Sequence, residues 1–148
     1  MITIQLVECR LKKAKTLKLP LANVTRLEES LVILRHLTND LPVEQFIVLG
    51  LNNTLRVTFA SIVAQGAVEN CHLKPRDIFR ALLIANSTAF IVGHNHPSGD
   101  PKPSVADYET LSELSKAGKA IGMPLLDSII VTSTGPFWSA AESGRIPL

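Results

Sequence analysis

The segment His94-Asn95-His96-Pro97-Ser98-Gly99-Asp100-Pro101-Lys102-Pro103-Ser104-Val105-Ala106-Asp107 gathers two imidazoles and a carboxylate at a spacing suited to one metal ion. His94 and His96 are two residues apart, so on an extended backbone both rings leave the same face. Ser104 opens a helical pattern, and Asp107 in its first turn can point back toward the strand end. Two histidines and one carboxylate, with a fourth position left for water, form the ligand set of a catalytic zinc site. Taken alone, Ser104-x-x-Asp107 is also an ordinary helix start, a hydroxyl cap and an acid near the positive helix end. The conjunction within one short segment points to a metal, with His94, His96 and Asp107 as ligands of a single Zn²⁺.

The flanking residues must deliver these groups rigidly. Ala89-Phe90-Ile91-Val92-Gly93 reads as a short buried strand. Pro97, Pro101 and Pro103 fix φ at three nearby points, and Gly99 permits a sharp reversal. Upstream, Thr25 predicts a helix cap over roughly 26–38, where Leu27, Leu31, Leu34 and Leu37 recur at helical spacing. Glu44 to Leu51 is a compact apolar run bounded by Pro42 and Asn52-Asn53. Leu55 to Ala64 is a second strand, so the Asn-Asn pair is expected to turn a hairpin. Pro75 opens a helix over 75–86 with Ile78, Leu82, Leu83 and Ala85 inward. A further helix runs from 104 to about 120, with Val105, Tyr108, Leu111, Leu114, Ala117 and Ile121 as its buried stripe. Leu125 to Thr132 is a strand, and Gly135-Pro136 turns into a last one near 137–141. At the N-terminus Ile2, Ile4 and Leu6, then Val7, Cys9 and Leu11 after a one-residue slip, suggest a bulged edge strand and an arm ending at Pro20. Strands interleaved with about three helices predict an α/β (α+β) domain with a mixed sheet.

Composition narrows the classes. With 148 residues, 46% apolar and 19% charged, the chain is one domain able to bury a core and is no disordered tail. A net charge of +2 is too small to imply nucleic acid. The cluster Arg10, Lys12, Lys13, Lys15 and Lys18 could touch phosphates but reads first as a solvated face. No apolar run approaches the ~18 residues of a membrane span, and no signal-peptide order opens the chain. Cys9 and Cys71 share no metal-type spacing, so two reduced thiols in a cytoplasmic protein are expected.

A zinc-activated water needs a base. Glu69, Glu109, Glu113 and Glu142 sit in turns or on helix surfaces. Glu44 differs, standing at the head of an apolar strand, although from the residues alone it reads at least as readily as a polar residue preceding that strand. Here the chain resembles the RadC-like branch of the JAB/MPN (JAMM) metalloprotease superfamily. The JAMM pattern is an upstream Glu, then His-x-His, seven residues, Ser, two residues and Asp. Glu44, His94, His96, Ser104 and Asp107 match it, and the RadC-like signature HNHPSGDPxPSxxD stands here from His94 to Asp107. Pro75-Arg76-Asp77-Ile78-Phe79 is similar to the family's PREVF, and Leu126-Asp127-Ser128-Ile129-Ile130-Val131 to its LDHIIV. The resemblance runs from about residue 25 to 145. It departs at Lys74 and Ser128, where His is usual, and at Ser61-Ile62-Val63, where many members carry an acid.

The resemblance implies a JAB/MPN, cytidine-deaminase-like architecture. It implies Glu44 as general base and Ser104 as oxyanion donor in a zinc hydrolase of peptide or isopeptide bonds, with a protein or peptide as substrate. Full-length RadC proteins also carry a helix-hairpin-helix region, and none is read within residues 1–148. The competing expectation is a non-catalytic or DNA-repair-associated accessory module that keeps the metal-binding fold. A zinc nucleobase deaminase would need His-x-Glu and Pro-Cys-x-x-Cys, which the sequence lacks. The letters His-Asn-His do not make an HNH nuclease, whose residues are dispersed over a ββα unit.

Overall fold

Thr25 sets the first helix. Its hydroxyl accepts from the Glu28 amide at 3.2 Å, while the Glu28 carboxylate accepts from the Thr25 amide at 2.7 Å. This reciprocal cap satisfies N–H groups that the first turn leaves free. α1 then runs Arg26–Thr38, as the leucine spacing predicts. The computed structural model describes residues 4–5, 8–19, 25–66 and 73–146. After α1 come β1 (Gln45–Leu51), β2 (Val57–Gln65), α2 (Pro75–Ile84), β3 (Ala89–Asn95), α3 (Val105–Ala120), β4 (Leu125–Val131) and β5 (Phe137–Ser139).

The five strands form one sheet in the order β2-β1-β3-β4-β5. β1 lies antiparallel to both β2 and β3, β3 and β4 are parallel across the α3 crossover, and β5 returns antiparallel. This is the mixed α/β sheet expected from the order of elements. Every residue of β1 and β3 is buried, because helices cover both faces of these central strands; that is why both read as unbroken apolar runs. Leu31, Ile33 and Leu34 of α1 close one face over Ile47, Leu49 and Ile91. Residues of α2 and α3 close the other over Phe46, Val48, Phe90 and Val92.

α1 sits close to β3 because Gly93 has no side chain. A Cβ there would fall 2.4 Å from Leu34 Cδ1 and 3.1 Å from the Ile129 carbonyl oxygen. Gly93→Ala is therefore expected to cost about 1–3 kcal/mol, the usual penalty of overpacking. Urea unfolding checks this, and an unchanged midpoint would mean that Leu34 yields without cost.

Several expectations need correction. The N-terminal strand is not formed where the chain is described: residues 4–5 and 8–19 belong to no regular element, and Ile4 is 85% exposed. Ile2, Leu6, Val7 and Pro20 lie outside the described residues, as does Cys71; Cys9 is a free, exposed thiol. The hairpin turn is longer than Asn52-Asn53. Asn52 Oδ1 accepts from the amides of Thr54 and Arg56 at 3.1 and 3.0 Å, a side chain replacing a backbone acceptor. That turn absorbs Leu55 at φ 60° and delays β2 to Val57. On α2, Phe79 joins Ile78 and Leu82 inside, whereas Leu83 is exposed and Ala85 caps the end. On α3 only Leu111 and Leu114 of the expected stripe are buried, and Val105, Tyr108 and Ile121 are exposed. Val105 and Asp107 are about 200° apart around the helix, so turning the acid toward the sheet turns the valine to solvent. β5 ends at Ser139 because buried Asp127 captures the chain at and just beyond that residue, accepting from Ser139 Oγ at 2.7 Å and Ala141 N at 3.0 Å.

Among the described residues no helix is long and apolar enough to cross a membrane.

Candidate metal centre

Antiparallel pairing sets the geometry of this site. Phe46 of β1 stands opposite His94 of β3, so two residues further along each strand Glu44 comes level with His96. Strand alternation places all four side chains on the α3 side of the sheet. The Phe46 ring stacks on His94 with centroids 5.8 Å apart and planes 15° from parallel. Ile130 of β4 is the register neighbour on the other side. His94, 2% exposed, is thus held in a row of apolar side chains with its Nε2 aimed out of the strand end.

Asp107 comes from the first turn of α3. Its Oδ2 accepts from the Ser104 amide at 2.7 Å and the Ser104 hydroxyl at 2.8 Å, while Ser104 Oγ accepts from the Asp107 amide at 3.1 Å. The same cap that starts the helix therefore aims the carboxylate. Asp107 Oδ1 lies 3.1 Å from His94 Nε2, and Oδ2 lies 3.7 Å from His96 Nε2. The two Nε2 atoms are 3.0 Å apart, and one donor atom from each residue lies within 4.8 Å of the other two.

The tautomer of His96 follows from its other nitrogen. Nδ1 is 2.8 Å from the Asp100 carbonyl oxygen, which can only accept, so Nδ1 carries the proton and Nε2 presents a lone pair. A lone pair facing a second imidazole nitrogen and a carboxylate is a donor set that a cation satisfies. His94, His96 and Asp107 could hold a metal ion.

The charges are already coupled without one. The Asp107 carboxylate beside His96 raises its pKa above the ordinary 6.5, outweighing burial, and Asp100 and Glu44 add to the rise. Burial pushes the Asp107 carboxyl up, but the imidazoles of His94 and His96 beside it together hold it well below the usual carboxylate range. In metal-free protein the stabilisation from protonated His96 is full below about pH 6.5 and is lost as pH rises through the raised pKa. Metal reverses the sign, because a ligating imidazole must be deprotonated. As pH rises from about 6.5 through the raised pKa, the thermal midpoint of chelator-treated protein is expected to lose this contribution, while metal loading adds more stability. A metal-induced increment in midpoint that does not change with pH would place His96 outside the centre.

Glu44, His96, Ser98, Asp100, Ser104 and Asp107 line one depression of about 250 Å³. All five residues singled out from sequence therefore meet at the C-terminal end of β3: three as convergent donors, Ser104 behind Asp107 and Glu44 across the depression. Two contributors went unread. The Asp100 carbonyl that orients His96 is a backbone group, which no residue type announces, although Gly99 at φ 84° marks the reversal that delivers it. Phe46 was legible only as a core residue until pairing placed it on His94.

The model of the RadC-like JAB domain matches residues 24–145. The chain belongs to the RadC-like JAB domain family. It is 39% identical to a UPF0758 protein of Staphylococcus haemolyticus over 109 residues, covering 74% of this chain and 47% of that relative. A UPF0758 protein of Thermotoga maritima is 37% identical over 99 residues, 67% of this chain and 44% of its own. One of Flavobacterium johnsoniae is 31% identical over 126 residues, 85% and 55%. The chain spans about half the length of the curated relatives it matches. Within the RadC-like JAB domain, the donor triad and Glu44 fall inside the matched stretch.

Proposed function

We propose that this RadC-like JAB domain is a zinc-dependent hydrolase of the JAMM type that cleaves a peptide or isopeptide amide bond. The observation that carries the reading is the meeting of Glu44, from the head of β1, with His96 and Asp107 in one depression, with buried His94 completing the donor set. His94, His96 and Asp107 hold the zinc, and Asp100 and Ser104 hold His96 and Asp107. When bound, the metal supplies Lewis acidity and an activated water near neutral pH. Glu44 accepts the proton of that water and returns it to the departing nitrogen. The Ser104 hydroxyl, which donates to Asp107 Oδ2 in this structure, turns its proton toward the developing oxyanion. Such a donor is typically worth about 2.7–4 kcal/mol in the transition state. A protein or peptide is the substrate class that this chemistry takes.

The test is turnover of fluorogenic peptides and of isopeptide-linked lysine conjugates by zinc-loaded protein. Hydrolysis that a chelator stops and added zinc restores is the expected result. Zinc-replete protein that cleaves neither class would replace the hydrolase with an accessory module that keeps the metal.

A further inference from the structure

Asn95 stands between two ligands in sequence yet faces the opposite side of the sheet. The β1–β3 ladder ends at the Phe46–His94 pair, and beyond it the Asn95 side chain takes the place of a backbone. Its Oδ1 accepts from the Gln45 amide at 2.8 Å, and its Nδ2 donates to the Val43 carbonyl at 3.0 Å. An amide can only donate and a carbonyl can only accept, so these partners fix the orientation of the side chain. Gln45 and Val43 are the two sequence neighbours of Glu44. The Glu44 carbonyl in turn accepts from Gly66, just past β2, at 2.9 Å. Each residue of the 43–45 segment is thus held, by Asn95 on one side and by Gly66 on the other. Asn95 is 5% exposed, and both ends of its amide are used on this segment.

We propose that Asn95 is a positioning residue for Glu44. By gripping the backbone on both sides of the acid, it fixes the Glu44 carboxylate relative to a metal centre built from its own neighbours, His94 and His96. This rests on the hydrolase reading given above. A strand end that merely needed closing would be served by one backbone hydrogen bond. A side chain that both accepts from residue 45 and donates to residue 43 locks the segment against sliding as well as lifting. It does so from the strand that carries two of the ligands, so base and metal move as one body. No other side chain of the same length does both, since Asp has no N–H to donate and Leu has neither group.

The experiment uses protein labelled with ¹³C at the glutamate carboxyl carbons. The Glu44 signal is identified by its absence in Glu44→Gln, and zinc chloride is added to one equivalent. In wild type the Glu44 signal is expected to move on zinc addition. In Asn95→Ala the Glu44 response is expected to fall by about half or more, while zinc affinity stays within about threefold, because the Asn95 amide bonds to Gln45 and Val43 and not to a ligand, unlike an outer-shell partner. Asn95→Asp keeps the acceptor for Gln45 and loses the donor to Val43, so its response should lie between the two; it carries the comparison if the alanine variant fails to fold. A full response in both variants overturns the positioning role and leaves Glu44 as the base. Loss of zinc in both overturns it as well, by assigning Asn95 to the ligand loop. Wild type that binds zinc with no response at Glu44 overturns the base assignment itself, and the positioning role with it.

Discussion

Asp107→Ala is expected to empty the metal centre. Protein purified without added metal should carry about one zinc per chain, and the variant almost none, by mass spectrometry of the metal. Asp107 is the anionic member of the triad, and it contributes through geometry as well as charge. Its Oδ1 and Oδ2 face His94 and His96 respectively, so the alanine leaves two imidazole nitrogens 3.0 Å apart with nothing to balance a dication. Zinc affinity should fall by more than about 100-fold, beyond what loss of an outer-shell partner costs. Half of the α3 capping box goes too, at about 1 kcal/mol. The variant should therefore fold, which circular dichroism checks alongside the metal count. Asp107→Asn keeps the shape at Ser104 and removes the charge, and it should also lose zinc. Retention of one zinc per chain by Asp107→Ala would end the ligand assignment.

Glu44→Gln should separate binding from chemistry. The amide is isosteric and its residue lies outside the triad, so zinc stoichiometry and affinity are expected to match wild type. Hydrolysis should fall by about 10²–10⁴-fold, the range for a positioned general base. Because Glu44 adds to the rise in the His96 pKa, the metal-free variant should also show His96 titrating at a lower pH, read by NMR of the imidazole. Activity near wild type in the zinc-loaded variant would move the base elsewhere. Loss of zinc would make Glu44 a ligand.

Much of this site was legible because its donors are local. His94, His96 and Asp107 sit on one strand, loop and helix, and strand alternation, the prolines, Gly99 and the Ser104 cap describe that unit without reference to the rest of the chain. Helix boundaries were equally readable where capping chemistry is written in the sequence, at Thr25 and Ser104. The features that stayed hidden depend on partners far along the chain. The alternation of Ile2 to Leu11 predicts a strand, but a strand needs a neighbour, and the described part of that segment has none in the sheet. Helical periodicity marked Val105 and Leu83 as core although neither faces the sheet, because periodicity records spacing and not where the sheet ends. Glu44 lay between these cases: its type and place were visible, but its nearness to His96 depends on the β1–β3 register.

That register has a consequence for assembly. Side chains alternate with a period of two, so β1 slipped by one residue against β3 would present Gln45 to the depression and turn Glu44 to the α1 side, with His94, His96 and Asp107 undisturbed. Contacts close in sequence form readily, and distant strand pairings come at greater cost in loop closure. Along this chain the donor triad is therefore a short-range product and the placement of Glu44 beside it a long-range one. On the proposed hydrolase reading, a partly ordered molecule captures metal before Glu44 is in place, and the pairing of Phe46 with His94 is the step that brings the base to it.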